Sequence, residues 1–108
     1  YVVSNGEDTL EQCLDALNQQ DSRSLLDQID GVTPMSAAFQ AMPDRCTTRY
    51  FLQVDADMIL YPATVQMLYL STRNSPFWIY RVSASLYEEG FGIGGAVKCW
   101  KKNTFLIN

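Results

Sequence analysis

An α/β fold, a mostly parallel sheet with helices on both faces, is predicted by three observations. Strand-like and helix-like segments alternate from residue 1 to about residue 72. The clearest strand, Tyr50 to Val54, is strongly apolar and runs straight into Asp55-Ala56-Asp57. Two further polar clusters, Ser4-Asn5-Gly6-Glu7 and Asp30-Gly31, also follow strand-like segments. Ligands in such sheets sit at the carboxyl ends of the strands, so three clusters at three strand ends point to a site.

Each element has its own signal. Tyr1-Val2-Val3 reads as a buried strand closed by the turn Ser4-Asn5-Gly6. Asp8 or Thr9 caps a helix in which Leu10, Cys13, Leu14 and Leu17 recur at helical spacing. Glu7, Asp8 and Glu11 crowd its first turn, which suits the positive end of the helix dipole. Leu25 to Ile29 is a weak second strand. Thr33 and Pro34 open a second helix with Met35, Ala38, Phe39 and Met42 on one face and Pro43 just past its end. Pro62 opens a third helix carrying Val65, Leu68 and Tyr69. After the break at Asn74-Ser75-Pro76, residues 77 to 86 alternate, with Trp78, Tyr80, Val82, Ala84 and Leu86 on one side. Glu88 to Gly95 reads as a glycine-rich loop, Gly95 to Trp100 as a strand, and Thr104 to Ile107 as a last one.

Composition narrows the function classes. The chain has 108 residues, the size of a single domain spanning 1–108, and 47% of them are apolar, so a core forms and disorder is disfavoured. Tyr1 rather than Met opens a strand-like run, which reads as a fragment or a processed chain. A net charge of −4 argues against general nucleic-acid binding, which needs a basic face. The imbalance sits in the first half. Residues 55–108 carry a small basic excess with Lys98, Lys101 and Lys102 near the end, read as a solvated strand end or a phosphate-facing patch. The absence of His excludes Ser-His-Asp and Cys-His catalysis within the chain and favours a hard metal ion held by carboxylates. Cys13, Cys46 and Cys99, odd in number and without metal-ligand spacing, read as reduced, partly buried residues of a cytoplasmic protein. No apolar run reaches the roughly 18 residues of a membrane span.

Asp55 and Asp57 carry the chemistry. Two carboxylates one residue apart repel, and water, a cation or hydrogen-bond donors must satisfy them. On a strand, residues i and i+2 point to one side, so both can approach one divalent ion. Mg²⁺ or Mn²⁺ held this way binds a diphosphate and neutralises a phosphate leaving group.

In this order the segments resemble a nucleotide-sugar glycosyltransferase of the GT-A fold, near family 2. Val2 to Glu7 is similar to the first strand and donor-binding loop of that family, and Glu11 to Gln20 to its "CLDSLLNQ" helix. Ser36 to Gln40 is similar to its "SAARN" helix, with Phe39 in place of Arg and Gln40 in place of Asn. Tyr50 to Asp57 is similar to "YIxFLDADD", and Pro62 to Val65 to the start of the next helix. The resemblance implies a three-layer αβα domain whose antiparallel strands come toward the C-terminus. It implies a nucleoside-diphosphate sugar, UDP- or GDP-linked, as donor, with transfer to an unspecified acceptor. It places Ser4, Asn5 and Glu7 in the donor loop, Asp30 (or Asp27) at the nucleobase, Asp55 near ribose and metal waters, and Asp57 on the metal. Glu88 and Glu89, the acidic cluster after Asp57, stand in for a catalytic base. The chain is short for the family's acceptor half, so the alternative is a non-catalytic nucleotide-sugar-binding or interaction domain.

Overall fold

The computed structural model describes the backbone of residues 1–88 and 92–102 and the side chains of residues 1–84 and 97–102. The elements follow in the order β1 (Val2–Ser4), α1 (Leu10–Asn18), β2 (Gln28–Asp30), α2 (Met35–Arg45), β3 (Tyr50–Asp55), α3 (Thr64–Arg73), β4 (Arg81–Glu88) and β5 (Gly92–Lys101). They form one five-stranded sheet in the order β2-β1-β3-β5-β4. β1 pairs in parallel with β2 and β3, while β5 is antiparallel to both β3 and β4. The result is a small α/β domain with a mixed sheet. Its parallel half comes first in the chain because helices link those strands, and its antiparallel half comes last.

Alternation along the strands divides the core in two. Val2, Val54, Val97 and Cys99 face Cys13 of α1 and Val65 and Leu68 of α3 on one side. Val3, Ile29 and Phe51 face Ala38, Met42 and Cys46 on the other. Neighbouring Val2 and Val3 thus point to opposite layers, as the pleat requires. Helices α1 and α3 cover one face and α2 the other, giving three layers. Burying each of the Val, Leu, Ile, Phe and Met side chains among these contributes about 1.5–3 kcal/mol, which places the stability in the layers rather than in the short strands.

Several boundaries differ from the sequence expectations, each for a physical reason. The second strand is only Gln28–Asp30, because β1 offers just three residues to pair with. Leu25 and Leu26 stay exposed before it. Helix α2 runs through Pro43 to Arg45 rather than stopping before the proline. Pro43 occupies the last turn, where it forgoes one backbone bond and buries its ring; the Cys46 N–H still donates to the Met42 carbonyl (3.0 Å). The buried stripe of α2 is accordingly Ala38, Met42 and Pro43, and Met35 and Phe39 are exposed. In α3 the buried stripe is Val65, Leu68 and Thr72, with Tyr69 on the margin.

Strand β4 begins at Arg81, not Phe77. Residues 76–80 are a turn, closed by the Ile79 N–H donating to the Pro76 carbonyl (3.0 Å). Trp78 and Tyr80 therefore stand exposed outside the strand, while Val82 and Ala84 join the α1/α3 core. Glu88 ends β4, and Gly92, Gly94 and Gly95 lie within β5 rather than in a loop. The expected strand at Thr104–Ile107 lies outside the described residues.

Candidate functional site

The parallel pairing brings three strand ends to one edge. Ser4 is in register with Asp30, and Val3 with Asp55. Adjacent strands are about 4.8 Å apart, so the carboxyl ends of β2, β1 and β3 span about 10 Å. Glycines make the exits possible. Gly6 (φ +86°) and Gly31 (φ +64°) occupy the left-handed region just beyond β1 and β2, where a Cβ would be strained. The Gly31 N–H donates to the Ser4 carbonyl (2.8 Å), holding the two exits together.

The loop after β1 is organised by its own carboxylate. Glu7 Oε2 accepts from the Ser4 hydroxyl (3.0 Å) and from the Asn5 N–H (2.9 Å), and Ser4 Oγ accepts from the Gly6 N–H (3.1 Å). Bonding to the Asn5 N–H, to its own N–H and to Ser4 holds the Glu7 carboxyl below the usual range. Ser4, Asn5 and Glu7 are thus brought together as a unit. Ser4 is buried beneath the loop, whereas Asn5 and Glu7 face solvent.

Asp55 is half-buried at the end of β3, and Asp57 is exposed one step beyond. The expected side-by-side arrangement along a strand is not how they meet. The strand ends at Asp55, and the Met58 N–H donates to the Asp55 carbonyl (3.0 Å), folding residues 55–58 into a turn that carries Asp57. They nonetheless act on one another. Burial pushes the Asp55 carboxyl up, the Asp57 and Glu7 charges push it further, and Lys98 opposes them. The turn is anchored from α1: the Thr9 hydroxyl donates to the Ala56 carbonyl (2.9 Å) instead of capping its own helix.

Two carboxylates under mutual repulsion, one of them exposed, suit a hard divalent cation that keeps most of its own waters. Among the described residues no group of three or more His, Cys, Asp or Glu converges to hold a metal. Any ion at Asp55 and Asp57 would therefore take its remaining ligands from water or from an anionic substrate. Asp30 is exposed at the β2 exit, in line with this edge, whereas Asp27 lies at the opposite end of β2, where Arg45 pairs with it (3.4 Å). Glu88 closes β4, two strand spacings or about 10 Å across the sheet from β3. Glu89 lies outside the described residues.

Lys98, one of the lysines near the end of the chain, also belongs to this edge. It opposes Gln53 in the β3–β5 register, on the same sheet face as Asp55 two residues on. Alternation of Val97 and Cys99 into the core carries that signal, but only the register says which strand Lys98 faces. No protein-family model matches the chain, and no curated protein or solved structure does.

Proposed function

We propose that this chain binds a nucleoside-diphosphate sugar with Mg²⁺ or Mn²⁺ and transfers the sugar to an acceptor, as a GT-A-like glycosyltransferase domain. The observation behind this reading is the edge where the ends of β2, β1 and β3 meet, Ser4 in register with Asp30 and Val3 with Asp55, with Asp57 in the turn beyond. Its span of about 10 Å suits a nucleoside diphosphate laid across three strand ends. Asp57, exposed, would hold the metal directly. Asp55, half-buried, would reach it through water, and Asp30 would meet the nucleoside. The bound ion supplies charge neutralisation for the departing diphosphate. Lys98, beside Asp55, would add a second positive charge on the same face.

Titration calorimetry with UDP and GDP, with and without Mn²⁺, tests the reading. Binding is expected only with metal, and Asp57→Ala is expected to weaken it at least tenfold. Metal-independent binding, or an Asp57→Ala variant equal to the parent, would sink it.

The distance of Glu88 from the β3 exit favours a second reading, in which the nucleotide sugar is bound but not transferred. Release of nucleoside diphosphate from a bound nucleotide sugar decides between them. Turnover by the chain excludes the second reading, and metal-dependent binding without turnover excludes the first.

A further inference from the structure

The end of the sheet opposite the candidate site gathers positive charge on a chain that is acidic elsewhere. This follows from topology. Chain direction places the starts of β1 to β4 and the end of β5 at one edge. Arg23, Arg45, Arg49, Arg81, Lys101 and Lys102 fall there. Arg81 opens β4, Lys101 ends β5 with Lys102 after it, and the Lys102 N–H donates to the carbonyl of Arg49 (2.9 Å). Arg45 reaches the Gln28 carbonyl at the start of β2 (3.2 Å), and Arg23 lies with Arg45 and Arg49 around one cavity. Among the described residues, Asp21, Asp27 and Asp44 are the acidic side chains that accompany them, a surplus of three basic side chains on a chain of net charge −4.

The same end carries projecting apolar side chains. Phe77 and Trp78 are 90% and 66% exposed, and Leu25 is 88% exposed. The aromatic turn is held in place. Lys101 Nζ donates to the Pro76 carbonyl (2.9 Å), the Lys101 N–H donates to the Tyr80 carbonyl (3.0 Å), and Phe77 and Trp78 meet edge to face at 5.7 Å. Between residues 22–27, residues 45–52 and α3, a cavity of about 780 Å³ opens at this end, lined largely by apolar side chains such as Leu25, Leu52 and Leu70.

We propose that this basic, aromatic end is a docking surface for an anionic lipid bilayer. Basic side chains answer anionic headgroups, and amphipathic aromatic rings settle at the headgroup level. The projecting Leu25 and the apolar cavity beside it match acyl chains, not nucleobases or an acidic protein surface. The chain would lie peripherally on the membrane, its acidic edge turned away from the like-charged surface. This surface is independent of the glycosyltransferase reading.

Flotation with vesicles of phosphatidylcholine, alone or with about 30% phosphatidylglycerol, tests the proposal. The full chain is expected to float with the anionic vesicles at least tenfold more strongly than with the neutral ones. That binding is expected to be lost in about 0.5 M salt. Trp78 fluorescence should shift to the blue on binding, and the shift should disappear in Trp78→Phe. Arg23→Glu/Arg49→Glu and Phe77→Ser/Trp78→Ser alter exposed side chains and should each reduce binding at least tenfold, with circular dichroism matching the parent. Absence of binding to anionic vesicles, equal binding to neutral ones, or folded variants that bind like the parent would overturn the proposal. So would salt-sensitive binding to a single-stranded oligonucleotide with no blue shift on vesicles, which would assign this end to a polyanion instead.

Discussion

At the scale of single residues, the β1 exit depends on conformational freedom and on one carboxylate. Gly6 has open space around a would-be Cβ, so substitution is penalised only through its positive φ. Gly6→Ala is expected to cost about 1–2 kcal/mol in denaturant unfolding. Glu7 titrates with a defined sign. Its carboxyl is held low by the Asn5 N–H first, so the folded state binds its proton more weakly than the unfolded state. The stability it contributes is present above the ordinary glutamate range and is lost as pH falls through the lowered folded value. Glu7→Gln should therefore lose less stability than the parent between about pH 5 and about pH 3, measured by thermal unfolding. Asp55 has the opposite character, a half-buried carboxyl raised by burial and by Asp57. Asp55→Asn should raise the melting temperature at neutral pH while weakening metal-dependent nucleotide binding. The identities of these residues were legible in the sequence, since a DxD after an apolar strand and Ser-Asn-Gly after another are visible as text. Their roles were less so. The turn at 55–58 and the use of Glu7 to close its own loop are hydrogen-bonding choices that sequence spacing does not specify.

At the scale of elements, α1 is legible from its periodicity because Leu10, Cys13, Leu14 and Leu17 all pack into one core layer. Its last residue, Asn18, falls where the pattern fades. Helix α2 resisted the same reading. Met35 and Phe39 share a stripe with Ala38 and Met42 by spacing, but α2 lies against only β1, β2 and the start of β3, too narrow a platform to cover them. Proline at position 43 suggested a stop and is instead a core residue of the last turn. Met42, fully buried between α2 and the sheet, is the element's anchor, and Met42→Ala should cost about 2–5 kcal/mol. The link from α1 to the DxD turn is smaller and more specific. Thr9→Val removes the bond to the Ala56 carbonyl and is expected to cost about 0.5–1.5 kcal/mol. The edge strand β4 was misplaced at its start for a related reason. Phe77 to Tyr80 alternate like a strand, but of these only the Tyr80 carbonyl bonds to β5, and the turn at Pro76 takes the Ile79 N–H.

For the whole molecule, three layers enclose Cys13, Cys46 and Cys99 as buried free thiols. Burial pushes the Cys13 and Cys99 thiols up, so thiolate is scarce in the folded chain. A thiol reagent such as Ellman's should react slowly with the native protein and with three equivalents in denaturant; rapid native labelling would show that the layers open easily. No helix among the described residues is long and apolar enough to cross a membrane. The sequence by itself determined the α/β class, the three polar clusters at strand ends and the reduced state of the cysteines. These depend on local periodicity, turn chemistry and composition, which act over a few residues. Only the tertiary structure decided the order β2-β1-β3-β5-β4, the pairing of Ser4 with Asp30 and of Val3 with Asp55, the position of Lys98 beside Asp55, and the separation of acidic and basic ends. Those depend on strand direction and register, contacts between residues tens of positions apart. A one-residue slip in that pairing would turn each of those side chains to the other face.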